Sequence, residues 1–359
     1  MVEILLQSAK DEALSQTLPT NGQNMWHIIA DFKPFNNEIW EEYIEDIIER
    51  LLALNISISK DNKGRSPIHY AAKHGQTILL RRLLTMTNIV KDINTADEEG
   101  KSELYYAVES LNYDSVKELL NVIGASEKLH NVKEESLVLK AVKSNNFDLT
   151  QLLLQHGFPT DEDSSFGRVN AVMVACQNND LKMLKLLIEH NADVNKPSHV
   201  EHKNKSGKKY TVLLHPIFAA SVAPPVMLET LLVAGANPNV YGLESKSESR
   251  ISCFMYNVVL DRIENQKILL DFNVDLNIID TKSSRTIFYQ FFFQGVMKKH
   301  KHKSKSGEAN SKDNKLTFHE SIFEKMMQNF RPQVNFVDKI TNMTPLELAI
   351  RERNTIMAE

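Results

Sequence analysis

Cysteine is nearly missing from this chain: among 359 residues there are two, Cys176 and Cys253. They stand far apart and without metal-ligand spacing, which argues against a disulfide framework and a thiolate metal site. Two buried free thiols in a reducing intracellular compartment, cytoplasmic or nuclear, are the expectation. An excess of one charge is missing too. Forty-two Lys and Arg against 46 Asp and Glu leave a net −4 at pH 7, so the composition gives no electrostatic footprint for nucleic acid. No apolar run approaches the roughly 20 residues that span a bilayer. The most hydrophobic window, FYQFFFQGVM at 288–297, is ten residues long and is expected to be a buried helix. The start, MVEILLQSAKDEAL, has neither the basic segment nor the long apolar core of a secretory signal.

Catalytic signatures are missing as well. No G-x-x-x-x-G-K-[ST], H-E-x-x-H, G-x-S-x-G or kinase pattern occurs. His199-x-x-His202 and the pair His300 and His302 lack a carboxylate or thiolate placed to complete a metal site. No catalytic residue, no cofactor-binding residue and no metal ligand is therefore nominated, and no oligomeric state follows.

What is present is a repeat. Its clearest copy is DNKGRSPIHYAAKHGQTILLRRLL at 61–84. Asp61-Asn62-Lys63-Gly64 is turn chemistry, with an Asx side chain to bond the backbone and a glycine to take positive φ. Ser66 is a natural helix N-cap, and Pro67 suits the first helical position because its missing N–H costs nothing there. Ile68, Ala71 and Ala72 give a short helix with a small face, and Gly75 ends it. Ile78, Leu79, Leu83 and Leu84 then predict an apolar stripe on a second helix. Helices of two or three turns are marginal alone, so each unit has to stack on neighbours.

The segment G-R-S-P-I-H-Y-A-A-x-x-G followed by Leu-Leu resembles the ankyrin repeat, whose period is about 33 residues and whose signature is T-P-L-H-x-A. That resemblance implies an all-α solenoid of helix-turn-helix units joined by projecting hairpin loops. It also gives His69, and His27 at the same place, a structural bond to a neighbouring repeat's loop rather than a catalytic role. Trp26 and Trp40 read as packing residues.

The register recurs. The marker alanines Ala71, Ala107, Ala141, Ala175 and Ala219 are 36, 34, 34 and 44 residues apart. Leucine pairs follow each one: Leu83-Leu84, Leu119-Leu120, Leu152-Leu153, Leu186-Leu187 and Leu231-Leu232. Glycine or asparagine turns close the second helices at His156-Gly157, Asn191-Ala192-Asp193-Val194-Asn195 and Gly235-Ala236-Asn237-Pro238-Asn239. About nine units are expected in one array over 1–359: 21–55, 61–95, 97–130, 133–163, 166–197, 211–240, 248–278, 281–337 and a truncated 338–359. Val2 to Leu6 reads as a second helix without its first, and Thr344-Pro345-Leu346 opens a unit that stops at Glu359. Those ends suggest a piece of a longer polypeptide.

Two polar inserts break the register, at 198–209 and at 298–315. The second is lysine-rich and offers nothing apolar to bury, so it reads as a solvated loop. Nuclear-localisation, nucleic-acid and acidic-lipid roles are its functional alternatives.

The resemblance implies recognition on the concave face built by loop tips and first helices. By position, the partner-binding candidates are Asn62, Lys63, Arg65, Lys73 and His74; then Glu98, Glu99, Lys101, Glu109 and Ser110; then Lys143, Ser144 and Asn145; then Gln177 and Asn178. Their sign runs from basic at 62–74 to acidic at 98–109, which suits a protein or peptide ligand of alternating charge better than a nucleic acid. The functional expectation is a non-enzymatic interaction module or scaffold. Two alternatives stand beside it: the substrate-recruiting region of a larger enzyme resembling tankyrase-like poly(ADP-ribose) polymerases, with catalysis outside this chain, and a membrane-linked or channel-associated ankyrin adaptor.

Overall fold

A computed structural model describes residues 16–33, 37–86, 95–123, 136–160, 169–203, 209–243, 250–277, 322, 324–328, 335, 337 and 342–351. The expected second helix at 2–6, the apolar window 288–297, the basic insert 298–315 and most of the unit 281–337 lie outside them. The chain divides into two compact units, 1–167 and 168–359.

Among the described residues the first unit holds four helix pairs: α1 (Met25–Asp31) with α2 (Asn37–Ala53), α3 (Pro67–His74) with α4 (Thr77–Thr85), α5 (Glu103–Glu109) with α6 (Tyr113–Ile123), and α7 (Leu137–Lys143) with α8 (Phe147–Gln155). First helices pack in a row, α1 on α3 on α5 on α7, and second helices pack in a parallel row, α2 on α4 on α6 on α8. Local chemistry sets the boundaries. Ser102 Oγ accepts from the Tyr105 N–H at 3.2 Å, Ser136 Oγ from Leu139 at 3.1 Å and Asn146 Oδ1 from Leu149 at 3.0 Å, each satisfying a donor that the helix leaves over. Gly75 ends α3 in the left-handed conformation at φ 69°.

Packing follows from residue size. Ala71, Ala107 and Ala141 are fully buried where first helices meet, and a side chain of a single methyl there lets the backbones close in. On α4 the buried stripe is Leu79, Leu80, Leu83 and Leu84, whereas Ile78 is only half-buried. The spacing explains the difference from the sequence expectation. Residues 79, 80, 83 and 84 fall at i, i+1, i+4 and i+5, one face of a helix, while 78 turns toward its edge. Each buried leucine contributes on the order of 2 kcal/mol.

A second device ties neighbouring pairs together. The Gln76 side chain, at the start of α4, donates to the carbonyls of Ile29 at 2.8 Å, Ala30 at 3.1 Å and Phe32. Those carbonyls are the leftover acceptors at the end of α1. Asn112 does the same one repeat later, reaching the Ala72 and Lys73 carbonyls at 3.1 and 2.8 Å.

The second unit repeats the plan with α9 (Ala171–Gln177) and α10 (Leu181–Glu189), α11 (Pro216–Val222) and α12 (Pro225–Val233), and α13 (Cys253–Val259) and α14 (Ile263–Leu270). A further helix, α15, covers Pro345–Arg351 where a repeat opening was expected. The insert at 198–209 is not all loop. It supplies β1 (Ser198–Lys203), antiparallel to β2 (Lys209–Leu214), and a shorter hairpin pairs β3 (Tyr241–Leu243) with β4 (Arg250–Ser252). The first hairpin is rooted where Ser198 Oγ, fully buried, accepts from the Asn170 N–H at 3.0 Å. Cys176 and Cys253 are buried and unpaired. Burial pushes both thiols up to about 12.

Candidate functional site

The loop tips of the first unit are organised by two aspartates in equivalent places. Asp61 Oδ1 accepts from the Lys63 and Arg65 backbone N–H groups, both at 2.9 Å, and its Oδ2 accepts from the Tyr70 hydroxyl at 2.7 Å. Asp97 does likewise for Glu99 and Lys101, at 2.9 Å each, and for Tyr106 at 2.8 Å. Consecutive tips are stitched by backbone bonds: the Asn62 N–H donates to the Asn21 carbonyl at 2.9 Å and the Glu98 N–H to the Lys63 carbonyl at 3.0 Å. Burial pushes the Asp97 carboxyl upward. The bonds from Lys101, Tyr106 and Arg65 outweigh that and hold it below the usual carboxylate value.

Three cations then tie these groups together, Arg65 and Lys140 from one repeat to the next and Lys101 within its own loop. Arg65 Nε donates to Asp97 at 3.0 Å and its Nη2 to Glu99 at 2.8 Å, with the guanidinium 5.4 Å from the Tyr106 ring centroid. Lys101 pairs with Glu99 at 3.0 Å and lies 5.5 Å from the Tyr105 ring. Lys140 donates to Glu109 at 3.0 Å and to the Tyr105 hydroxyl at 2.9 Å, and it stacks 4.6 Å from the same ring. The result is a ladder of alternating charge and aromatic faces whose groups are fixed by one another.

Histidines support the first helices from beneath. His27 Nε2 meets the Arg65 carbonyl of the next loop at 3.1 Å, as the repeat resemblance implies. Nδ1 of His69 accepts from the Ser66 N–H at 3.1 Å and lies 3.6 Å from a Glu103 carboxylate oxygen. Burial is the main cause that lowers His69 to about 4, so at neutral pH it is an uncharged packing group.

The nominated residues separate into distinct groups. Asn62, Lys63, Glu98 and Glu99 are exposed at adjoining tips, and Arg65 and Lys101 lie behind them, 16% and 19% exposed, engaged in the ladder. Glu109 joins that ladder from α5. Lys73, His74, Ser110, Lys143, Ser144 and Asn145 sit at the far ends of the first helices, about 10 Å along the axis. His74 pairs there with Asp31 at 3.0 Å. Gln177 and Asn178 hold the corresponding place on α9 in the second unit and are exposed. The expected division into a basic and then an acidic patch is softened, because Arg65 spends its charge on Asp97 and Glu99. Sequence reasoning missed Lys140, Tyr105 and Asp97. The 36-residue offset that relates Asp61 to Asp97 and Tyr70 to Tyr106 is the signal that finds Asp97.

Comparison with known proteins agrees with this geometry. A family model described as ankyrin repeats (3 copies) matches residues 39–129 and 112–198. Residues 39–198 are ankyrin repeats. Among curated relatives of the ankyrin chain, the putative ankyrin repeat protein FPV244 of Fowlpox virus (strain NVSL) is 32% identical over 114 residues, covering 31% of this chain and 16% of that protein. The phosphate system positive regulatory protein PHO81 of Saccharomyces cerevisiae is 34% identical over 68 residues, covering 19% and 6%. The match thus spans less than a fifth of each relative's own length. Among solved structures, an ankyrin repeat domain from Acinetobacter baumannii AYE is 22% identical with a TM-score of 0.46, covering 58% of this chain and 98% of its own. The ankyrin repeat domain of Bcl-3 is 18% identical with a TM-score of 0.44, covering 66% and 94%.

Proposed function

We propose that this ankyrin chain is a protein-binding module, and that in its first unit the partner lies across the loop tips and first helices. Ankyrin repeats are in general protein–protein interaction modules. The observation that carries the placement is the ladder. Glu98 and Lys63 stand exposed at adjoining tips whose backbones are bonded to each other, and Arg65, Lys101 and Lys140 are held behind them by Asp97, Glu99, Glu109 and Tyr105. Such a surface is rigid before binding, so little side-chain entropy remains to be lost on association. Its alternating charge favours a peptide or protein segment of complementary alternation over a polyanion. Gln177 and Asn178 supply an equivalent exposed patch in the second unit. The reading includes a scaffold role and an intracellular location, cytoplasmic or nuclear, supported by two buried free thiols. No observation on the described residues favours the enzyme-recruiting or membrane-linked alternative.

Site-specific photo-crosslinking tests the placement. A photoreactive residue at Lys63, Glu98 or Lys143 is expected to capture the same protein from an extract of the native host, whereas one at Lys185 on the outer side of α10 captures none of it. Capture from Lys185 alone, or equally from all four positions, counts against the assignment.

A further inference from the structure

On the second-helix side of the first unit, α6 and α8 border an open cleft of about 260 Å³ lined by Tyr113, Asp148, Gln151, Leu152 and Gln155. Its chemistry is one-sided. The lining holds one carboxylate, two side-chain amides and a phenol, with no cation among them. The Asp148 carboxylate and the Gln151 and Gln155 amides are bonded to no other described group, and Tyr113 is 40% exposed. Leu152, nearly buried at 7%, contributes the apolar member of the lining.

A second observation lies two residues before Tyr113. Leu111 occupies the left-handed region at φ 58°. The equivalent turn residues in the flanking repeats are Gly75 at φ 69° and Asn145 at φ 54°, which adopt that conformation easily. A branched aliphatic residue there is strained, and its side chain is 40% exposed. The fold therefore keeps an outward apolar group where the backbone alone favours glycine or asparagine, two residues before the Tyr113 that lines the cleft.

We propose that this cleft accepts an arginine side chain from a protein partner. The guanidinium carries five N–H donors in one plane, which suits a carboxylate and two amide oxygens converging from one helix. Its face stacks on the Tyr113 ring, and its methylene stem lies along Leu152. A lysine ammonium supplies three donors from a point and no planar face, so it uses fewer of these groups. The site is separate from the loop-tip ladder and stands whether or not that face binds a partner.

The test uses the full chain with ¹³C-labelled leucine methyls, titrated with N-acetyl-arginine methylamide. Saturable shifts at Leu152 are expected, with N-acetyl-lysine methylamide weaker by about fivefold or more. Asp148→Asn is expected to weaken arginine binding about tenfold, because a charge-assisted pair becomes a neutral one. Tyr113→Ala weakens it as well, and the core methyls of Leu119 and Leu153 report that either variant remains folded. Glu189→Gln, on α10, leaves binding unchanged. Three results would each overturn the proposal: no saturable shift at Leu152, equal affinity for the lysine compound, or undiminished binding by folded Asp148→Asn.

Discussion

Replacing Gln76 with alanine removes one side chain and strands the end of a neighbouring helix. Gln76 is 6% exposed, its amide serves the carbonyls of Ile29, Ala30 and Phe32, and its Oε1 accepts from Trp40 Nε1 at 3.3 Å. Two amide protons cannot satisfy three acceptors fully, so about two strong bonds and one long one are lost. At roughly 1 to 1.5 kcal/mol each, with a further penalty for carbonyls left buried, the gross loss is about 4 kcal/mol. Freeing the glutamine from a single rotamer returns roughly 1.5 kcal/mol. The net cost is therefore about 2 to 3 kcal/mol, localised at the joint between α1 and α3–α4. The chain has a built-in reporter for that joint. Its two tryptophans, Trp26 and Trp40, are both in the first repeat and both buried. Urea titration followed by tryptophan fluorescence should show the first repeat unfolding at lower denaturant in Gln76→Ala, while far-ultraviolet circular dichroism, which averages all repeats, moves less. Gln76→Glu should be worse than alanine, since it keeps the shape but turns a carboxylate toward three carbonyl oxygens. A fluorescence midpoint equal to wild type in Gln76→Ala, or a fully stable Gln76→Glu, refutes the capping argument.

Other outcomes follow from the same contacts. His69 is depressed to about 4 in the folded chain, so the unfolded state takes up a proton first as pH falls. Stability contributed by keeping this histidine neutral is complete above about pH 6.5 and is lost as pH drops toward 4, by about 3 kcal/mol, and His69→Gln should flatten denaturation midpoints across that window. Ala71 is fully buried between first helices, so Ala71→Leu should overpack and cost about 1 to 3 kcal/mol by thermal or urea denaturation. With both thiols pushed up to about 12 by burial, Cys176 and Cys253 should not react with an aromatic disulfide reagent in the folded chain at pH 8, and both should react in guanidinium.

Much of this architecture is legible in the residues themselves. The alanine and leucine-pair register locates the helix pairs, because small and large apolar residues have fixed tasks in a stacked repeat. Pro67 and Ser66 mark the start of α3 where they should. The α4 stripe is less legible: a run of Ile78, Leu79 and Leu80 holds more apolar residues than one face can bury, and only the helix start at Thr77 decides which turns outward. Gln76 and Asn112 carry no local signal at all. Each is a polar residue at a turn, and its importance arises from carbonyls 39 or more positions earlier that stacking brings beneath it. The candidate face shows the same limit. Exposure of Lys63 and Glu98 at the tips follows from turn chemistry, but the engagement of Arg65 by Asp97 and Glu99 depends on the offset between two repeats. The arginine cleft was not foreseen, since Tyr113 and Asp148 look like ordinary surface residues until α6 and α8 lie side by side.

The claim that the loop tips and first helices hold the partner is tested most directly by affinity. Once a protein is captured at Glu98, its dissociation constant should be measured by calorimetry for wild type and for Lys63→Glu with Glu98→Lys, a pair that reverses both exposed charges and leaves the ladder behind them intact. The account predicts an affinity loss of about tenfold or more, with no change in melting temperature. Unchanged affinity in that folded double variant contradicts it.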